Sequence, residues 1–211
     1  MQYTDELRRF WSCNSLELAR DERVTVPANP AAYTDEAQDA YLSEILRDVP
    51  DVAGSIVLDY GCGIGRVTRA LLRRRARVFA VDVSPQMLAY CRQYCDRLPG
   101  LVTVLCPGDS VPLVGDATVD GAICLYILQH CPTLEMAQAI LADLARVICP
   151  GGWLVAQSTD HGQEDTAGQV GFFGERQTRD WFLAAIESAG FSVVSVRPEA
   201  DQTIVTGTKP C

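Results

Sequence analysis

Between Ser55 and Ser158, short and nearly unbroken apolar runs alternate with amphipathic stretches, and this rhythm constrains the fold more than any other feature. SIVLDY, RVFAVDV, LVTVLC, DGAICLYI and WLVAQS have the length of strands. Between them, apolar residues recur at helical spacing: Val67, Ala70 and Leu71; Met87, Leu88, Cys91 and Cys95; Ala137, Ile140, Leu141, Leu144 and Ile148. CPGG is expected to end the last of these helices before WLVAQS begins. Strands that are apolar on both sides and separated by helices belong in a parallel sheet covered on both faces. FSVVSV and QTIVTGT follow with no helix between them, which predicts a terminal hairpin and an antiparallel last strand. The expectation is an α/β fold: a seven-stranded, mostly parallel sheet with a C-terminal antiparallel hairpin and helices on both faces.

Upstream, Leu7, Phe10, Trp11, Ser15 and Leu18 mark an amphipathic helix within residues 3–19. A polar, proline-bearing connection leads to a second helix over Thr34 to Arg47, with Thr34 as its cap. Pro50 and Gly54 break the chain before the first strand. Residues 1–53 therefore read as a helical extension or lid, and residues 54–211 as the core of one domain.

The net charge of −9 disfavours nucleic acid as a partner, because a phosphate backbone needs a sustained basic surface. The single basic cluster, Arg66 to Arg77, falls at a helix end, where cations complement the dipole and a solvated surface is expected. No apolar run approaches the roughly 18–20 residues of a membrane span, and the N-terminus lacks a signal core, so a cytoplasmic protein is expected. Nine cysteines are then read as reduced thiols; Cys91 and Cys95 fall on one helix face as core, and no metal site is expected.

VLDYGCGIGR, Val57 to Arg66, carries the functional signal. Glycines in a turn between strand and helix let backbone amides approach a ligand at a helix N-terminus. Dinucleotide dehydrogenases favour G-x-G-x-x-G. Gly61, Gly63 and Gly65 instead give G-x-G-x-G, with Asp59 ahead of it. Asp82 closes the second strand, where a carboxylate can accept both hydroxyls of a ribose.

These residues resemble the class I S-adenosylmethionine-dependent methyltransferases, a superfamily with a Rossmann-like fold. LDYGCGIGR matches their D-x-G-x-G motif, VFAVDVSPQML their acidic strand end, CPGDS their adenine segment, and LARVICPGGWLVAQ their late helix–turn–strand signature. The resemblance spans residues 54–209 and implies S-adenosylmethionine as cofactor, with S-adenosylhomocysteine as product. It implies that Asp59, Gly61 and Gly63 line the methionine moiety, with Cys62 also among the cofactor contacts, and that Asp82 holds the ribose. Val83 and Met87 would then flank the adenine, Asp109 would accept from its amino group beside Ser110, and the backbone at Leu125 would approach the ammonium.

Methyl transfer from a sulfonium mainly needs alignment, with a base only where the acceptor must lose a proton. His130, just past the fourth strand, is the candidate catalytic residue. Trp11, Tyr33, Tyr126, Gln129, His161 and Phe172 are candidate acceptor contacts, the last two in a glycine-bearing loop suited to a lid. The expected partner is a small-molecule methyl acceptor, for a monomer or homodimer without nucleic acid or membrane. Methylation of a peptide side chain, another transfer from the same cofactor, and a non-catalytic scaffold remain as alternatives.

Overall fold

The computed structural model describes residue 5 and residues 8–9, 11–12, 34–160, 174–199 and 202–211. Its elements are α1 (Asp35–Ile45), β1 (Ile56–Tyr60), α2 (Arg66–Arg73), β2 (Arg77–Asp82), α3 (Pro85–Tyr94), β3 (Leu101–Leu105) and β4 (Val119–Cys124). A 3-10 turn at Leu128–His130 leads into α4 (Leu134–Val147), β5 (Ile148–Thr159), α5 (Arg179–Ser188), β6 (Ser192–Glu199) and β7 (Gln202–Thr208). Residues 5, 8–9 and 11–12 are helical, within the expected N-terminal helix; its remainder lies outside the described residues. Four helices start on hydroxyl caps: Thr34, Ser84, Thr133 and Thr178 each accept from the amide three residues on. Helix α2 has no side-chain cap and starts instead on Gly65.

The strands form a single seven-stranded sheet in the order β3-β2-β1-β4-β5-β7-β6. Strands β1 to β5 run parallel, and β7 is antiparallel to both its neighbours. The order reverses at β1 and β4, which opens a crevice beyond their carboxyl ends, where ligands bind in open α/β sheets. On one face, Ile140, Leu141 and Leu144 of α4 and Phe182 and Ile186 of α5 pack on Leu58, Ala122 and Leu154. On the other, Leu42 and Ile45 of α1, Leu71 of α2 and Cys91 of α3 pack on Val57, Val78, Trp153 and Val155.

The structure departs from the sequence expectation at three places. CPGG does not separate α4 from β5: the strand starts at Ile148 and carries the glycines inside it. The Gly151 amide donates to the Lys209 carbonyl and the Lys209 amide to that of Gly152, so the tetrapeptide is taken up by pairing. Strand β4 stops at Cys124 rather than Ile127, because Tyr126 adopts a left-handed backbone with φ 59°. The arginine cluster is a clamp rather than a solvated helix end. Arg69 forks onto Asp35 at 2.8 and 3.1 Å, and Arg73 reaches Asp35 at 2.6 Å and Asp39 at 3.1 Å. Arg74 donates to the Asp39 carbonyl and the Ser43 hydroxyl, both at 2.6 Å. The hydrogen bond from Arg69 holds the Asp35 carboxyl below its usual range.

The far end of α1 is tied to the terminal hairpin. Buried Arg197 of β6 donates to the carbonyls of Glu44 at 2.6 Å and Ile45 at 2.9 Å, which the helix cannot satisfy itself. Ser195 adds a bond to Asp48 at 2.7 Å.

Trp153 packs against the backbone of Gly121 on β4, where a Cβ would overlap the indole. Gly121→Ala is therefore expected to destabilise the protein by about 1–3 kcal/mol, measured as a fall in Tm by calorimetry or circular dichroism.

Candidate functional site

The glycine loop is pinned before any ligand arrives. The amides of Gly61 and Cys62 both donate to the Val81 carbonyl, at 2.8 and 2.9 Å, and the Gly65 amide returns to Cys62 at 2.9 Å. The Gly63 amide donates to one carboxylate oxygen of Asp82 at 2.9 Å, while the Ser84 amide donates to the other at 2.8 Å. Asp82 thus joins the loop after β1 to the turn after β2 and keeps lone pairs for a further donor.

The glycines of this loop serve different ends. A Cβ on Gly61 would overlap Ile127, and one on Gly65 would stand 2.6 Å from the Cys91 sulfur, so both are places of close packing. Gly63, with φ +53°, has no atom of the described residues within 4 Å of a Cβ position, so among them its outer side faces open space beside Asp82.

Two carboxylates lie under this loop. Burial raises Asp82 to about 6 against the lowering effect of the Ser84 and Gly63 amides. Burial raises Asp59 to about 7, opposed by a 2.6 Å bond from the Thr68 hydroxyl. Thr68 is fully buried on α2 and was not foreseen from the sequence. The signal was available, since a carboxylate at the end of a central strand requires a donor, and the following helix is the nearest source.

Ser84 is buried as the cap of α3, Met87 is buried beneath it, and Val83 packs partly against the core. Beyond β3, the Tyr60 hydroxyl donates to the Gly108 carbonyl at 3.0 Å. Arg146 of α4 holds the carbonyls of Val111 and Val114. Asp109, exposed on this anchored segment, accepts from Ser110 at 3.0 Å.

Past β4, Leu125 is buried and the Tyr126 hydroxyl stands 3.5 Å from that of Tyr41 on α1. Gln129 is buried in the 3-10 turn. His130 is half-buried, with its ring edge-on to Trp11, centroids 5.1 Å apart at 66°. From the same N-terminal stretch, Arg8 donates to the Val83 carbonyl at 3.3 Å and Ser12 bonds Ser84 at 3.2 Å. Arg8, Trp11 and Ser12 thereby touch both the turn after β2 and the turn after β4. The structure brings Asp59, Gly61, Cys62, Gly63 and Asp82 together at one edge, with Trp11 and His130 in contact across it. Tyr33, His161 and Phe172 lie outside the described residues.

The chain returns to the site at Gly174, whose amide donates to the Gln129 carbonyl at 2.8 Å. Buried Gln177 accepts from Ser158 and donates to the Leu128 carbonyl, both at 2.5 Å. Gln177 carried no signal in the sequence, because its partners come from other elements. Among the described residues, no three His, Cys, Asp or Glu gather to hold a metal, and no helix is long and apolar enough to cross a membrane.

Residues 58–156 match the family model described as a methyltransferase domain. The chain is 37% identical over 109 residues to a demethylmenaquinone methyltransferase of Tropheryma whipplei, covering 52% of this chain and 44% of that one. The chain spans about half the length of the curated relatives it matches. Among solved structures it is similar to magnesium protoporphyrin IX methyltransferase from Synechocystis with bound S-adenosylhomocysteine, at TM-score 0.74 and 18% identity over 97% of this chain and 99% of that one. It also resembles 1,6-didemethyltoxoflavin-N1-methyltransferase of Burkholderia thailandensis, at TM-score 0.71 and 22% identity over 100% and 90% of the two chains. Its sheet order and glycine loop give the chain the fold of these solved methyltransferases, and the stretch from the first strand to the fifth matches the methyltransferase-domain model.

Proposed function

We propose that this protein transfers a methyl group from S-adenosylmethionine to a small-molecule acceptor at the carboxyl edge of β1, β2 and β4. The observation that carries the reading is the open space at Gly63 beside the buried Asp82 carboxylate, between glycines that are tightly packed. The residues fit the cofactor: a cradle that a Cβ would fill, next to an acceptor suited to ribose hydroxyls. S-adenosylmethionine supplies a methyl on a positively charged sulfur, displaced in line with a neutral thioether leaving.

In this reading Asp59, Gly61, Cys62 and Gly63 hold the methionine part and Asp82 the ribose. Val83 and Met87 flank the adenine, Asp109 accepts from its amino group with Ser110 alongside, and the Leu125 backbone meets the ammonium. His130, positioned by its edge contact with Trp11, orients the acceptor or takes its proton. Tyr126 and Gln129 line the acceptor side, with Tyr33, His161 and Phe172 as further contacts. The net charge of −9 disfavours nucleic acid as acceptor. The relatives named for demethylmenaquinone and 1,6-didemethyltoxoflavin support a small molecule.

Calorimetric titration is expected to give micromolar binding of S-adenosylmethionine and S-adenosylhomocysteine, with none for NADH; failure of both adenosyl compounds to bind would overturn the reading. Gly63→Ala should lower that affinity at least tenfold while costing only about 1–2 kcal/mol of stability for its left-handed backbone. Gly65→Ala, driven into Cys91, should cost about 2–4 kcal/mol by thermal melting. Gly63→Ala retaining full affinity would remove the loop from the binding site.

Asp82 must be ionised to accept from the ribose, and in the free protein its carboxyl sits at about 6. Binding favours the charged form, so affinity should fall as pH drops through 6, this group contributing up to about tenfold per pH unit below it. Asp82→Asn should remove that contribution in the same titration and leave the fall that begins near 7, where Asp59 takes up its proton. His130→Ala is expected to leave S-adenosylhomocysteine affinity within about twofold and to reduce methyl transfer by about 10²-fold or more in a radiolabel assay if it takes a proton.

A further inference from the structure

Three oxygens beyond β4 and along the end of β5 are buried and have no hydrogen-bond partner among the described residues: Oε1 of Gln157, Oγ1 of Thr159 and Oε1 of Gln129. Gln157 is 0%, Thr159 3% and Gln129 9% exposed. Native proteins leave few such groups unmade, because each bears the full desolvation penalty of a lost bond. Three at one edge of one site call for a physical reason.

Their placement follows from the register. Trp153 and Val155 of β5 pack into the layer beneath α1 and α2. Side chains alternate along a strand, so Gln157 and Thr159 continue that face to its carboxyl end. Cys124 pairs with Ala156, so the chain leaves β4 next to the stretch of β5 that carries Gln157. The turn that carries Gln129 packs against β5. Tyr41 and Tyr126, whose hydroxyls stand 3.5 Å apart, pack against the same layer as Trp153 and Val155. The Gln157 amide nitrogen donates to Gln202 Oε1 at 2.6 Å, so its carbonyl oxygen is the atom left over.

We propose that Gln157 and Thr159, with Gln129, read the methyl acceptor, and that the acceptor presents hydroxyl or N–H donors to them. A carboxylate would set its lone pairs against the Gln157 oxygen, whose orientation the bond to Gln202 fixes, and is disfavoured there. This rests on the methyltransferase reading above and adds two residues and a chemical class to it. Thr206 supplies an internal comparison: its hydroxyl is equally buried and unpartnered, but it lies opposite Val155, deeper under α1 and away from the edge.

The test compares the full chain with its Thr159→Val, Gln157→Leu and Thr206→Val variants. All should bind S-adenosylhomocysteine within about twofold of one another; absence of binding by the unsubstituted chain would mark failure of the methyltransferase reading and take the proposal with it. Without ligand, Thr159→Val should raise Tm by about 2–4 °C, since it removes an unpaired hydroxyl at constant shape; a fall would reveal a structural partner and overturn the proposal. With S-adenosylmethionine present, a panel of catechol, hydroquinone and N–H heteroaromatics is assayed against benzoate and the corresponding quinones. Donor-bearing members should be methylated, with KM raised at least tenfold by Thr159→Val and Gln157→Leu and unchanged by Thr206→Val. Preference for the carboxylate, no methylation of any donor-bearing member, or equal effects of Thr159→Val and Thr206→Val would each overturn it. Should Gln157→Leu fail to fold, the two threonine variants decide alone.

Discussion

One carbonyl, that of Val81, accepts from two consecutive amides, and the rest of the site hangs on that arrangement. With Gly61 and Cys62 both turned toward the end of β2, the next amide, that of Gly63, meets the Asp82 carboxylate, and α2 begins at Gly65. The strand ends of β1 and β2 are therefore joined by backbone bonds that need no ligand. Preorganisation of this kind spares the binding step the entropy of ordering the loop. It also explains why each glycine is needed on its own account. Gly61 and Gly65 admit neighbouring side chains, and Gly63 leaves room outside.

Electrostatics sharpen the same point. Asp59 and Asp82 are held close to the surface of the crevice yet out of water, at about 7 and about 6. Their burial disfavours charge, and each is offset by donors that the fold supplies: Thr68 for one, two backbone amides for the other. A cationic or hydroxyl-bearing ligand settling there would relieve a cost already built into the empty protein.

The sheet, its order of elements and the terminal hairpin were legible from the sequence because apolar periodicity is a local signal. Asp59, the glycines and Asp82 were legible for a different reason: a motif compresses backbone geometry into a few residue types. What escaped was of a third kind. Thr68 and Gln177 work through partners on other elements, and nothing in their neighbourhood along the chain announces those partners. The arginines of α2 misled for a related reason. A helix end rich in cations looks solvated until another helix brings Asp35 and Asp39 against it. CPGG likewise resembles a turn, and becomes strand because Lys209, just past β7, exchanges backbone bonds with Gly151 and Gly152.

Helix α1 is held at one flank by α2 and at its last turn by Arg197, a residue from the opposite end of the chain. During synthesis those carbonyls have no partner until the terminal hairpin emerges and folds. The clamp from α2 can form without that hairpin, whereas the bonds to the last turn of α1 wait for β6, so full fixation of this helix follows the long-range pairing of β6 and β7. A newly made chain interrupted before β6 would carry every residue of the glycine loop, yet the last turn of α1 would lack its anchor.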